Sequence, residues 1–152
     1  MDVYLVRHAK AGSRSSYQGP DDSARPLSGK GRAQAEALAG RLAPQGITRL
    51  VSSPFTRCVQ TLGPLASKLD LEVETAVVLA EGAGPTAALT LVETAAEPLA
   101  LCSHGDVIGE LITLLDRRGI PVHGDGIEKG SIWVLTVTAG EVTEAAYVPP
   151  PT

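Results

Sequence analysis

Strands that alternate with helices along nearly the whole chain predict an α/β fold: a three-layer α/β/α arrangement around a mostly parallel sheet, with an antiparallel C-terminal strand. Three observations carry this expectation. Short apolar runs such as VYLV and PLALCS alternate with longer stretches of helical periodicity. The last apolar stretch, SIWVLTVTAGEVTEAAYV, breaks at Ala139 and Gly140 in the manner of a hairpin. The 152 residues, 43% hydrophobic, suffice for one core of ordinary size, and no repeat or long linker divides them. One domain over residues 1–148 with a frayed tail at 149–152 is therefore expected.

Taken in order, VYLV forms a buried strand, and SGKGRAQAEALAGRLAPQG forms a helix with Ala33, Ala37, Leu38 and Leu42 on one side. Ser28 caps its start, while Pro44 and Gly46 stop it. ITRLVSS is the second strand. In SSPFTRCVQTLGPLASKLD, Ser53 suits the N-cap and Pro54 the first helical position, because the N–H that proline lacks would be unpaired there in any case. The internal Gly63–Pro64 pair predicts a kink or a split. LEVET is a short third strand, GPTAALTLVETAA a helix, PLALCS a fourth strand and DVIGELITLLDRRG a further helix before the hairpin.

Composition narrows the function. A net charge of −4 argues against a polymeric nucleic acid as partner, since such binders neutralise many phosphates with a basic face. No apolar run reaches the roughly 18 residues that span a bilayer, and MDVYLV lacks the basic start of a signal peptide, so a cytoplasmic location without membrane contact is expected. Cys58 and Cys102 lie far apart and suggest two reduced thiols.

In open α/β sheets, ligands bind beyond the carboxyl ends of the strands. Arg7 and His8 follow the first strand, Arg57 lies in the first turn after the second, and His104 follows the fourth. Taken singly, Arg7 could pair with Asp21 or Asp22, and His104 could be a core histidine. Together with a helix N-terminus, the four form a receptor for a phosphoryl group, because guanidinium matches phosphate oxygens in bidentate fashion and free helix N–H groups favour an anion. No helical histidine pair or carboxylate arrangement supports a metal, and no cofactor is expected.

The successive motifs LVRHAKAG, DDSARPLSGKGRAQAEALA, VSSPFTRCVQT and LCSHGD resemble those of the histidine phosphatase superfamily, in its small SixA-like branch, from Val3 to about Val137. The resemblance implies a phosphoglycerate-mutase-like fold and a phosphatase that uses a covalent phosphohistidine on His8. It implies that Arg7, Arg57 and His104 bind the phosphoryl oxygens, and that Glu81, in VVLAEGAGP, serves as general acid and then as base. The chemistry is sound on its own terms: neutral imidazole is a competent nucleophile near pH 7, and two displacements replace one difficult step. A second resemblance, carried by RPLSGKGRAQAEAL and EKGSIWVL, is to the phosphatase domain fused to some actinobacterial MutT-type Nudix hydrolases, and it implies nucleotide-derived substrates. The substrate stays open between a phosphorylated small molecule and a phosphoprotein.

Around this centre, Lys10, Ser13, Arg14 and Arg25 are candidate substrate contacts, with Arg25, Pro26 and Leu27 shaping the entrance. Gln34 reads as a helix-surface or packing residue and His123 as an exposed loop histidine. Asp106 suits a cap of the following helix and is expected to point away from the phosphate. The chain lacks insertions that would enclose the site, which argues against a phosphomutase that must shield its phosphoryl group from water. A phospho-ligand binding module without turnover is the remaining alternative, and it would need neither His8 nor Glu81.

Overall fold

The structure, a computed structural model, describes residues 1–151. Its strands are β1 Asp2–Arg7, β2 Arg49–Ser52, β3 Val73–Thr75, β4 Leu99–Ser103, β5 Val122–His123, β6 Ile132–Thr138 and β7 Glu141–Val148. They form one sheet in the order β3-β2-β4-β1-β6-β7-β5. Parallel pairings join β3 to β2, β2 to β4, β4 to β1 and β7 to β5, while β6 alone runs opposite to its neighbours β1 and β7. This is the mixed, mostly parallel α/β sheet that the sequence predicts. The two-residue strand β5 was not foreseen; it pairs outside β7 through Val122 and His123, so the hairpin is not the sheet edge.

Among the described residues, four α-helices cover the two faces: α1 Gly29–Leu42, α2 Thr56–Leu69, α3 Thr86–Glu93 and α4 Gly105–Arg117. Strand alternation divides the core between them. Val3, Leu5, Leu99 and Leu101 point to the face covered by α3 and α4, where Leu89, Val92, Ile108 and Leu111 meet them. Tyr4, Val6, Ala100 and Cys102 point to the other, against Leu38 and Leu42 of α1 and Leu62 and Leu65 of α2. All five residues of β4 are buried, as a central parallel strand requires. No helix of the described residues is long and apolar enough to cross a membrane.

Three local expectations need correction. The buried side of α1 is Gly31, Ala35, Leu38, Ala39 and Leu42, whereas Ala33 and Ala37 are exposed, because in an alanine-rich helix small side chains leave the face ambiguous. Helix α2 starts at Thr56 rather than at Pro54, and the Ser53 hydroxyl accepts from the Phe55 N–H at 3.2 Å just ahead of it. It also runs unbroken through Gly63–Pro64. Gly63 has no Cβ to clash with the proline ring, and burial of Leu62 and Leu65 on either side offsets the lost backbone bond. In the C-terminal tail, the Pro149 carbonyl accepts from Arg41 at 3.0 Å, and Thr152 lies outside the described residues.

Candidate active site

Sheet order explains why residues so far apart in sequence meet. β1 and β4 are parallel neighbours with Arg7 opposite Ser103, so the residues that follow, His8 and His104, emerge side by side. The His8 backbone N–H donates to the Ser103 carbonyl at 3.1 Å, and the two imidazole centroids lie 5.5 Å apart. β2 flanks β4 on the other side and feeds α2, whose second residue is Arg57. His8, Arg57 and His104 are all buried. The four residues picked out at the strand ends are thus brought together.

His8 is pinned. Its Nδ1 lies 2.8 Å from the Ala9 carbonyl, an acceptor only, so Nδ1 carries the proton and Nε2 keeps its lone pair. Burial, assisted by the charges of Arg57, His104 and Arg7, pulls its pKa down to about 3 against the bond to Ala9. The ring is therefore neutral at physiological pH. The Ala9 N–H in turn donates to Thr61 Oγ1 at 2.9 Å, and Thr61 donates to the Arg57 carbonyl at 2.7 Å, which ties the His8 loop to α2.

The neighbouring groups are equally constrained. Ser53 Oγ lies 2.8 Å from His104 Nε2 and accepts from the Phe55 N–H at 3.2 Å, while Cys58 Sγ approaches the same nitrogen at 3.5 Å. The Phe55 ring meets His104 edge-on at 4.7 Å and lies 5.0 Å from the Arg57 guanidinium. Arg7 Nη1 donates to the Ile127 carbonyl at 2.6 Å. Gly105 makes room for that guanidinium, because a Cβ there would come within 2.9 Å of it. Burial and the charge of Arg57 both lower the Arg7 pKa. Among the described residues, Arg7 Nε, Arg57 Nε and His104 Nδ1 are buried polar atoms without a protein partner. Two like-charged guanidinium groups with spare donors around a neutral imidazole fit a phosphoryl group, whose oxygens accept those bonds and offset the charge.

Carboxylates close the far side. Asp22, which sequence reasoning weighed only as a partner of Arg7, pairs instead with Arg57 at 3.1 Å, Arg25 at 2.9 Å and Arg14 at 3.4 Å. The Arg25 bond and the charges of these arginines hold its carboxyl below the ordinary range, although burial pushes the other way. Its carbonyl also accepts from Arg57 Nη1 at 2.9 Å. Glu81 lies 3.5 Å from Arg57 and 3.3 Å from Arg14, and it remains 39% exposed. Arg14 is thus an exposed bridge between the two acids, whereas Arg25 is buried and also donates to the Gly12 carbonyl. Ser13 points to Ser15, 2.8 Å away, and Lys10 is exposed beside Arg7.

Asp106 lies inside the first turn of α4 instead of capping it, and it accepts from the Gly82 N–H at 2.7 Å, anchoring the Glu81 loop. Gln34 is more than a surface residue: Oε1 accepts from the Lys10 N–H at 3.0 Å and Nε2 donates to the Lys129 carbonyl at 2.9 Å. His123 is exposed but belongs to β5 and meets Glu144 at 2.8 Å. Asp22, Ser53, Cys58 and Thr61 were missed as parts of the site. Only the DD pair before RPLS and the serine and threonine flanking Arg57 hint at them. Among the described residues, no three His, Cys, Asp or Glu side chains gather as a metal-holding set.

Known proteins resemble this chain along most of its length. The Histidine phosphatase superfamily (branch 1) matches residues 3–98. The chain is 41% identical, over 98% of its length, to an 8-oxo-(d)GTP phosphatase of Mycolicibacterium smegmatis, of which it spans 48%. It therefore covers about half of that relative. The protein histidine phosphatase SixA complexed with tungstate superposes with a TM-score of 0.69 at 25% identity, covering 98% of this chain and 95% of that one. A mycobacterial glucosyl-3-phosphoglycerate phosphatase with VO3 gives 0.69 at 20% identity, covering 99% of each, which speaks to fold. By sequence match along most of its length and by the site just described, the chain belongs to the histidine phosphatase superfamily, branch 1.

Proposed function

We propose that the chain is a metal-independent phosphatase that takes a phosphoryl group onto Nε2 of His8 and passes it to water. The observation that carries this reading is the pinned neutral imidazole beside three buried polar atoms without protein partners, two of them guanidinium donors. Arg7, Arg57 and His104 gather the phosphoryl oxygens. The Nε2 lone pair forms the N–P bond as the P–O bond to the leaving group breaks, and the departing oxygen takes that electron pair. Glu81, at the open side, protonates it when it is basic, then removes a proton from the water that cleaves the phosphohistidine. Orthophosphate departs and His8 is restored. The arginines accelerate the step insofar as they hold the in-line transition state more tightly than the bound substrate.

For the substrate, a nucleotide-derived phosphate is favoured by the high identity to the 8-oxo-(d)GTP phosphatase along nearly the whole chain. The test is turnover of p-nitrophenyl phosphate in EDTA by wild type and His8→Ala, followed by GTP, GDP and a phosphohistidine peptide. Wild type is expected to release phosphate and His8→Ala to lose about a thousandfold or more. Rapid quenching is expected to trap an acid-labile, alkali-stable phosphoenzyme in wild type alone. Equal rates in the two proteins would overturn the covalent reading, and a folded wild type that binds orthophosphate without any turnover would make the chain a binding module.

A further inference from the structure

The cations of this site are not alike. Arg14, Arg25 and Arg57 all pair with Asp22 or Glu81. Arg7 also lines a cavity of about 680 Å³, together with Lys10, Gln34, Glu128, Lys129 and the prolines 149–151. Among the described residues, neither Lys10 nor Lys129 enters an ion pair. The lining thus holds three cations against one carboxylate, Glu128.

The lysines are also held in place by their backbones. Gln34 bonds the Lys10 N–H and the Lys129 carbonyl at once. The next residue, Gly130, donates to the Arg7 and His8 carbonyls at 3.1 Å each. Gly130 has φ 82°, and a Cβ there would lie 2.6 Å from the Gln34 side chain, so the clamp depends on glycine at this point. Burial and the charges of Arg7, Arg25, Arg57 and Lys10 all disfavour the Lys129 ammonium, a repulsion that an incoming anion relieves.

We propose that this cavity is the leaving-group subsite, and that Lys10 and Lys129 select a leaving group that itself carries phosphate, so that the substrate is a phosphoanhydride cleaved at its terminal phosphate. The proposal rests on His8 as the nucleophile. His8 Nε2 bonds to the terminal phosphorus, the bond from phosphorus to the bridging oxygen breaks, and the electron pair stays on that oxygen. The shortened phosphate chain leaves beside the lysines. Water then cleaves the phosphohistidine, so that one water is consumed, and one orthophosphate and one shortened chain are formed. Such a leaving group needs little protonation, so its departure does not depend on Glu81.

The test compares kcat/KM for GTP, inorganic tripolyphosphate and p-nitrophenyl phosphate in wild type and in Lys10→Met/Lys129→Met, which keeps the apolar stems. Each preparation serves as its own control through the ratio of substrates. Wild type is expected to favour GTP over p-nitrophenyl phosphate, and the double variant to lower that ratio by about tenfold or more. A tripolyphosphate rate matching that of GTP assigns the preference to the phosphate chain, and a lower one adds a contribution from the nucleoside. The proposal is overturned if the ratio is unchanged in the variant, or if GTP is inert while a phosphohistidine peptide reacts. Loss of p-nitrophenyl phosphate turnover in His8→Ala without any preference for GTP would sink the subsite and leave the nucleophile standing. Turnover of GTP by His8→Ala would instead sink the reading on which the subsite rests.

Discussion

His8 joins two properties that water would keep apart: a lone pair free for attack and a surrounding of positive charge. Burial keeps its proton off down to a pKa of about 3, and the Ala9 carbonyl fixes which nitrogen holds the remaining one. Nitrogen-detected NMR is expected to find the His8 ring neutral, protonated at Nδ1, from pH 8 to pH 5. Titration near the ordinary value of about 6.5 would contradict it. Arg57 supplies two contacts to Asp22 as well as a spare donor, so Arg57→Ala is expected to lower kcat/KM by about a hundredfold or more. Asp22 acts in the other direction. Its carboxylate lies on the arginine that would hold phosphate, and unit charges a few ångström apart near a surface interact by roughly 1–4 kcal/mol. Asp22→Asn is therefore expected to tighten orthophosphate inhibition by about fivefold or more. An unchanged or weaker inhibition constant would show that Asp22 matters for holding the arginines rather than for competing with the ligand.

At the scale of elements, glycines decide how closely the pieces approach. Gly31 in α1 packs on the Lys10 backbone, where a Cβ would fall 1.8 Å from the carbonyl oxygen. Gly31→Ala must therefore shift backbone and is expected to cost about 1–3 kcal/mol, read as a lower urea midpoint. The nearest atoms to a Cβ in Gly105→Ala are those of the Arg7 guanidinium, so the change is expected to reduce kcat/KM more than it reduces the midpoint. The same scale divides what the sequence made legible from what it hid. Strands and helices were readable because their periodicity is local, and Arg7, His8, Arg57 and His104 were readable because each lies at or shortly after a strand end. The bonds that complete the site span 35 residues from Asp22 to Arg57, 51 from Ser53 to His104 and 52 from Ala9 to Thr61. No local pattern encodes such pairings; they exist only once β4 lies between β1 and β2. The face of α1 was misread for a related reason, since alanines pack or face solvent according to what the tertiary structure brings against them.

Across the whole molecule, the site is a cost to folding that the ligand offsets. Folded His8 accepts a proton only near pH 3, whereas the unfolded chain does so near the ordinary 6.5. Between those values the unfolded state binds more protons, so stability falls as pH drops from 6.5 towards 3, and this group adds no further loss below that. At pH 5 the contribution amounts to something on the order of 2 kcal/mol, since one pKa unit is about 1.4 kcal/mol. The depressed Asp22 carboxyl acts mainly at lower pH, which leaves pH 5 to 6.5 as the window for His8. Urea denaturation of wild type and His8→Gln at pH 7.5 and pH 5 isolates it: wild type is expected to lose more stability on acidification than the variant. Parallel losses would mean that the imidazole titrates alike in both states and that its burial contributes nothing to the acid sensitivity. Orthophosphate should act oppositely to acid, because a ligand of the folded state alone stabilises by about 2.7 kcal/mol at a hundredfold excess over its Kd. For a chain of this length that is a rise of roughly 5–10 °C in Tm. The rise is expected to be smaller in Arg57→Ala, where one of the spare donors is gone, and an equal rise in both proteins would place the phosphate elsewhere on the molecule.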